Sequence, residues 1–224
     1  MKPLKIEIVH DVVCSWCPIG YANLTQALRN LSVEADVFFL PHELNPDMGN
    51  EGEPIEHHLE RRYGWDNQRQ QQYREHLLEV ASAADVSIDF SRRTHYYNTQ
   101  YAHRLMHWAE TFGKQKVMNE LLIDAYFDKG LNVGDVNILS FLAEILGLDR
   151  ADTKKAIESS EVETAVRRKK ERLKHFEVTS VPAFIFNDTT LITGSNSVSF
   201  FESCIRNFIA DAEPLYSDDT NLHQ

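Results

Sequence analysis

The sequence predicts an α/β fold that is interrupted by a large all-helical insertion. Polar and apolar residues alternate over residues 5–9, an amphipathic helical pattern covers residues 19–31, and a run rich in Val and Phe follows at residues 33–40. Helical periodicity then continues as far as residue 176, and strand character returns only near residue 181. This order predicts a parallel βαβ unit, a helical middle and a closing ββα unit.

The composition is that of an acidic globular protein. The chain has 224 residues, of which 23 are Lys or Arg and 34 are Asp or Glu, and its formal net charge is -11. This charge would repel the phosphates of nucleic acids and anionic lipid surfaces, so we expect neither nucleic acid nor a membrane as a partner. Glu7 and His10 interrupt the first apolar run before it reaches the length of a signal peptide, which predicts a cytoplasmic protein. The sequence does not indicate an oligomeric state.

Residues 10–20 read HDVVCSWCPIG and hold two thiols that are separated by two residues. They lie between the first predicted strand and the first predicted helix, so we expect Cys14 near a helix N-terminus. Free N–H groups and the positive end of the helix dipole favour an anion there, and Cys14 should therefore ionise more readily than a free cysteine. Cys14 is the predicted nucleophile, and Cys17, about one turn further along the same side, is the predicted resolving thiol. Asp11 is expected to cap the turn, with a proton relay to the buried thiol as the alternative.

A structural zinc site is the main alternative for the cysteine pair. Such sites have four ligands, so a second pair of Cys or His residues would be needed. The remaining cysteine, Cys204, has no such pair beside it and lies on the apolar face of the last predicted helix, which favours a packed thiol. His103 and His107 have the i, i+4 spacing of a metal-binding helix, but Arg104 occupies the position of the glutamate in that motif. We therefore expect no metal site.

The middle of the chain is expected to be helical. Residues 41–54 contain three prolines and two glycines and are predicted to form a loop that leaves the sheet. The predicted helices cover residues 55–63, 67–84, 99–112, 114–129, 136–146, 150–159 and 163–176. We therefore divide the chain into a discontinuous α/β domain, residues 1–54 and 177–210, and a helical insertion domain, residues 55–176.

The last part of the chain returns to strands. Residues 181–187 and 191–193 are predicted to pair as a hairpin through residues 188–190. A final amphipathic helix is expected after Ser197, which is a suitable N-cap residue. Residues 211–224 are acidic and polar, which is typical of a disordered tail.

Together these features resemble the thioredoxin fold in the form that it takes in the DsbA-like thiol oxidoreductases, and within that superfamily they are most similar to the FrnE branch. Four segments carry the resemblance: DVVCSWCPIG at residues 11–20, PHELNPDM at residues 41–48, NTQYAHRL at residues 98–105 and SVPAFIF at residues 180–186. These segments are spread over most of the chain. Their combination is more specific than a single Cys-x-x-Cys pair.

The resemblance implies a set of substrate-binding residues. In this superfamily the proline that begins the third strand is cis and faces the cysteine pair, and Pro182, preceded by Val181, is the matching position. A cis proline lets the preceding residue present its main chain to a substrate strand. Trp16 is large enough to border the resulting groove. His103 and Asn98 belong to a matching segment and are further candidates to line it.

The predicted activity is thiol:disulfide exchange with a protein or a small-molecule thiol, which requires no metal and no organic cofactor. The glutathione-dependent hydroxychromene carboxylate isomerases form a neighbouring branch, in which a serine is expected where this chain has Cys14. This departure argues against a pure isomerase. A glutathione-dependent isomerase or transferase acting on a small aromatic metabolite is the alternative, with glutathione as its cofactor. A non-catalytic binding or chaperone module is the third hypothesis.

Overall fold

In the computed structural model, which describes residues 3–210, the strand β1 (Leu4–His10) lies inside a four-stranded sheet of order β2-β1-β5-β6. β2 (Ala35–Pro41) runs parallel to β1, and the helix α1 (Trp16–Leu31) connects the two. β5 (Ala183–Phe186) pairs with the other edge of β1 in antiparallel orientation, and β6 (Thr190–Thr193) continues the sheet beside it. The predicted thioredoxin fold, a βαβ unit and a later ββα unit around one sheet, is confirmed.

β1 is buried almost throughout, although its sequence alternates, because it is a central strand with elements packed on both faces. Ile6 and Ile8 belong to the main hydrophobic core, whereas Val9 belongs to a second cluster on the opposite face of the sheet. Glu7 is buried with Val9 on that second face, where Arg172 donates two hydrogen bonds of 2.6 Å to its carboxylate oxygens. The bidentate ion pair therefore compensates the free-energy cost of burying the Glu7 carboxylate on this face of the sheet.

The remaining helices follow the predicted segments closely. They are α2 (Ile55–Tyr63), α3 (Asn67–Ala83), α4 (Gln100–Glu110), α5 (Gln115–Ile123), α6 (Val136–Ile145), α7 (Arg150–Glu158), α8 (Ser160–Leu173) and α9 (Val198–Ala210). Several begin at a side chain that accepts a hydrogen bond from a first-turn N–H group, as helix N-caps do. These caps include Asp66, Asp135, Asp149, Ser159 and Ser197, the last of which was predicted.

Two local features of the insertion differ from the prediction. The helix expected over residues 114–129 ends at Ile123 and continues as one π-helical stretch, Asp124–Asp128, which buries Tyr126. The insertion is also not purely helical, because β4 (His95–Tyr96) pairs with β3 (Glu53–Pro54) in a short antiparallel ribbon. Strands of two residues are too short to give a periodic pattern.

The hairpin between β5 and β6 turns one residue earlier than predicted. Asn187 and Asp188 have positive φ angles of 47° and 61°, and the Thr189 N–H donates to the Phe186 carbonyl at 3.0 Å. Asn and Asp adopt the left-handed conformation more readily than other side chains, so they suit the two central positions of this tight turn.

The sheet and the insertion share one hydrophobic core. It joins residues of β1, such as Ile8, to Leu77 of α3, Leu105 of α4 and Leu122 of α5. The division of the chain at residues 54 and 177 into two domains therefore stays a prediction. The tail predicted for residues 211–224 lies outside the described residues. Within residues 3–210, no helix combines the length and the apolar character that crossing a bilayer requires.

Candidate active site

A tight turn after β1 delivers the cysteine pair to α1. The Cys14 N–H donates to the Asp11 carbonyl at 3.0 Å, and the Cys17 N–H donates to the Cys14 carbonyl at 3.1 Å. α1 begins at Trp16, three residues before the start that periodicity predicted, and its N-cap residue Ser15 makes no side-chain capping hydrogen bond. Cys14 therefore lies directly before the first turn of the helix, where N–H groups and the helix dipole favour an anionic sulfur.

The sulfur of Cys14 faces the segment that begins β5. The Val181–Pro182 peptide bond is cis, as predicted, and the Cys14 Sγ lies 3.7 Å from the Val181 carbonyl oxygen. Gly20 allows α1 to approach this segment closely, since a Cβ atom there would lie 3.1 Å from Pro182 Cγ and 3.2 Å from Ser195 Cα. A glycine in the interior of a helix lowers the free energy of unfolding by roughly 0.5–1 kcal/mol relative to alanine. The close approach of α1 to this segment therefore reduces the stability of the protein.

Both cysteines of the pair are free thiols, and both are buried: Cys14 is 6% exposed and Cys17 is 4% exposed. Burial raises the pKa of the Cys17 thiol well above its usual value, and the adjacent Cys14 sulfur raises it further. Cys17 therefore keeps its proton, which leaves Cys14 as the candidate for the attacking sulfur. In the part of the chain that the structure describes, no group of three or more His, Cys, Asp or Glu side chains could hold a metal ion.

Asp11 fastens the cysteine turn to the loop after β2. Its carboxylate is buried and accepts hydrogen bonds from the Leu44 N–H at 2.7 Å and from the Val13 N–H at 3.4 Å. The Nε2 atom of His103 lies 3.5 Å from the same carboxylate. Burial raises the pKa of Asp11, but the contacts with His103 and the Leu44 N–H outweigh burial, so the pKa lies below its usual value. Asp11 is therefore an ionised turn residue, in the position that the sequence predicted for it.

His103 lies beneath the cysteine turn. It is buried, and its Nε2 donates to the His42 carbonyl at 3.0 Å. The ring of His10 meets the His103 ring edge to face, with centroids 5.7 Å apart, and burial together with His103 lowers the pKa of His10 to about 3. These contacts indicate a structural role for His103. The predicted contact of His103 with substrate stays a prediction.

Asn98 and Trp16, the other two predicted substrate-binding residues, contact different parts of the chain. Asn98 donates to the Pro46 and Met48 carbonyls at 3.1 and 3.0 Å, which fastens the loop after β2 to the start of α4. Trp16 is half-buried, and its ring lies 6.1 Å from that of His76 on α3, so it stands between the cysteine pair and the insertion. Direct substrate contacts of Asn98 and Trp16 also stay predictions.

Sequence reasoning missed Arg93. This residue is 2% exposed, and its Nη2 atom lies 3.5 Å from the carbonyl oxygen of Val13, the residue before Cys14. It lies outside every helix and strand, between α3 and β4, so no periodicity or motif marks it. The only sequence signal is the aromatic cluster that follows at Tyr96 and Tyr97.

Comparison with known proteins adds evidence on family. The model of the DSBA-like thioredoxin domain matches residues 5–206. Protein YwbO of Bacillus subtilis (strain 168), which is described as uncharacterized, is 29% identical over 203 residues that cover 90% of this chain and 96% of YwbO.

Two solved structures share the fold. The probable DsbA oxidoreductase SCO1869 from Streptomyces coelicolor has a TM-score of 0.87 at 22% identity, covering 98% of this chain and 95% of its own. The cytosolic disulfide reductase DsbM from Pseudomonas aeruginosa, solved with GSH, has a TM-score of 0.64 at 14% identity, covering 92% and 99%. Since the family match extends over nearly all the described residues, the chain belongs to the family of DSBA-like thioredoxin domains.

Proposed function

We propose that this protein is a thiol:disulfide oxidoreductase that cycles Cys14 and Cys17 between dithiol and disulfide. One observation carries the proposal: the Cys14 sulfur lies at the start of α1 and 3.7 Å from the Val181 carbonyl, beside the cis Pro182, with the buried Cys17 thiol as its neighbour. The family match supports thiol:disulfide exchange as the class of reaction.

The exchange proceeds in two displacements. The Cys14 thiolate attacks one sulfur of a substrate disulfide, the substrate S–S bond breaks, and the other substrate sulfur leaves as a thiolate. Cys17 then gives up its proton and attacks the Cys14 sulfur of the mixed disulfide. The Cys14–Cys17 bond forms, the second substrate sulfur leaves, and two electrons have passed to the substrate. Oxidation of a substrate dithiol is the same sequence in reverse.

The substrate is expected to dock where β5 begins. The Val181 main chain, next to the reactive sulfur, would hold an extended substrate segment as an added strand does. Trp16 would border this groove on the side of α3, while His103 and Asn98 would shape it by holding the loop after β2 in place.

The proposal extends to the partners and the compartment of the protein. We propose protein or small-molecule thiols and disulfides as substrates, with glutathione as the small thiol, since the related fold of DsbM was solved with GSH. We further propose a cytoplasmic location and membership of the FrnE branch. The branch assignment is supported by the segments at residues 11–20 and 41–48.

Replacement of the nucleophile tests this function. Cys14→Ser is expected to lower reduction of insulin, or oxidation of a dithiol peptide, by on the order of 10³-fold, because the remaining thiol of the site, Cys17, is buried and keeps its proton. Turnover that continues undiminished in this variant would contradict the proposal. Conversion of a small aromatic substrate with glutathione, without any change in the Cys14–Cys17 redox state, would instead support the isomerase or transferase alternative.

A further inference from the structure

Arg93 is a buried cation without a carboxylate partner. Its side chain is nearly inaccessible, and none of the ion pairs formed among residues 3–210 includes it. Within that part of the chain its Nε atom also lacks a hydrogen-bond partner. Buried charges in proteins are as a rule paired, so this guanidinium calls for a compensating negative charge nearby.

Aromatic rings and one carbonyl group surround the guanidinium. Its central carbon lies 5.0 Å from the ring centres of Tyr126 and Phe127, 5.2 Å from that of Tyr96 and 5.5 Å from that of Phe90. Such rings hold a cation in place but carry no net charge. The Nη2 atom, 3.5 Å from the Val13 carbonyl oxygen, directs the cation toward the cysteine turn.

The titratable groups around Arg93 leave one candidate for the missing charge. Burial raises the pKa of Tyr73, on α3, to about 12, and it raises the pKa of Tyr126, in the π-helical stretch, still further. Burial likewise keeps Cys17, on α1, protonated. Asp11 is ionised, but its oxygens accept from Leu44 and Val13 N–H groups and lie beside His103. The group that remains is the sulfur of Cys14, one residue after Val13.

We propose that Arg93 is a positioning residue that stabilises the thiolate of Cys14 by its charge. The cation lies 3.5 Å from the Val13 carbonyl oxygen, and its charge adds to the effect of the N-terminus of α1, which begins two residues after Cys14. An opposite charge near a titratable group favours its charged form. Arg93 thereby increases the fraction of attacking thiolate at neutral pH. This inference rests on the proposed thiol chemistry of Cys14.

Arg104 provides a matched control, because it is a second buried arginine with a conventional environment. It is 6% exposed, its guanidinium carbon lies 5.3 Å from the Tyr101 ring centre, and it donates to the Ile157 carbonyl at 3.1 Å. Unlike Arg93, it has a carboxylate partner, Glu163, at 3.2 Å. Its removal should affect packing without affecting the cysteine pair.

The test is a pH titration of thiolate ultraviolet absorbance in the full-length protein with Cys17→Ser and Cys204→Ser, so that Cys14 is the only thiol. Arg93→Met is expected to move the Cys14 midpoint upward by about one pH unit, so that thiolate at pH values below the midpoint falls about tenfold. Arg93→Lys, which keeps a cation, should restore most of this loss, and Arg104→Met should leave the midpoint unchanged. A folded Arg93→Met variant with an unshifted midpoint would overturn the inference.

A measurement without substitution at Arg93 covers the case in which Arg93→Met does not fold. In the same single-thiol protein with ¹⁵N-labelled arginine, the Nε resonance of Arg93 should titrate with the midpoint of Cys14, and that of Arg104 should not. A flat Arg93 resonance would overturn the inference even if Cys14→Ser abolishes turnover. Undiminished turnover in Cys14→Ser would instead refute the proposed function, whatever Arg93 shows.

Discussion

The chain places cysteines in two different settings on the same α/β unit. Cys14 and Cys17 lie at the start of α1, against the Val181 carbonyl, whereas Cys204 lies in the middle of α9, six residues after that helix begins. Burial raises the pKa of Cys204, as it does for Cys17, but Cys204 has neither a helix N-terminus nor a second thiol three positions away along the chain. The reactivity of a cysteine therefore depends on the surroundings of its sulfur, and a thiol in an apolar helix face is not equivalent to one at a helix start.

The two settings also differ in what surrounds the thiols. The cysteine turn contacts buried polar groups, of which His10 and Asp11 directly precede it and Arg93 and His103 come from distant segments. α9 buries Phe201 and Ile205, and its Phe201 ring meets that of Phe184 edge to face at 4.9 Å. Changes of charge or pH should therefore alter the properties of the cysteine pair, whereas Cys204 should be affected mainly by changes in side-chain packing.

After Cys14→Ser, the largest effect that separates the two settings is expected from loss of the resolving thiol. Cys17→Ser removes the group that releases the mixed disulfide, so turnover should fall by on the order of 10²-fold or more and a Cys14–substrate disulfide should accumulate. Non-reducing electrophoresis and mass spectrometry of the trapped adduct would measure this. Normal turnover without a trapped adduct would show that Cys17 does not resolve the exchange.

An intermediate effect is expected from His10, which belongs only to the first setting. Its pKa falls from the usual 6.5 to about 3 in the folded protein, through burial and the charge of His103. The unfolded chain takes up a proton below about pH 6.5 and the folded chain does not, so stability falls as the pH decreases from 6.5 towards 3. The expected slope is up to about 1.4 kcal/mol per pH unit.

His10→Phe should remove this part of the slope while keeping an aromatic ring against Phe39, whose centroid lies 5.0 Å from that of His10. Urea unfolding of both proteins between about pH 7 and pH 5 measures the difference. His175→Phe, at an exposed position after α8 that forms no ion pair within residues 3–210, is the control for the loss of an exposed imidazole. Equal slopes for wild type and His10→Phe would show that His10 takes up its proton in the folded state.

The smallest effect is expected in the second setting. Cys204→Ser should change the rate of disulfide exchange by less than about twofold, and the cost in stability should be that of a partly buried polar substitution, about 1 kcal/mol. Turnover assays and thermal unfolding of this variant beside Cys14→Ser would measure both quantities. A large loss of turnover in folded Cys204→Ser would remove the distinction between the two settings.

The local features of the first setting could be predicted from the sequence. Cys14 and Cys17 follow an apolar run and precede a helical pattern, and these signals lie within about twenty neighbouring residues. The cis bond at Pro182 was predicted only through the family resemblance, because spacing alone does not determine an isomer.

The rest of the site depends on contacts between distant residues. Asp11 meets Leu44 and His103 through folding of the whole chain, and neither contact leaves a pattern in the sequence. Arg93 lies in an irregular segment, where a charged residue is ordinarily exposed, so its burial could be seen only in the structure. The basic residues of α8 are a further case, because Lys169, Lys170 and Arg172 pair with Glu110, Glu43 and Glu7 from distant parts of the chain.

The most direct test of the account is a disulfide map of the native, full-length protein after oxidation with glutathione disulfide. Free thiols are blocked, the chain is digested, and the linked peptides are identified by mass spectrometry. We expect one bond between Cys14 and Cys17, with Cys204 recovered as a blocked free thiol, and complete return of the bond to two thiols after incubation with a dithiol. A bond that includes Cys204, or a pair that stays reduced while substrate is turned over, would contradict it.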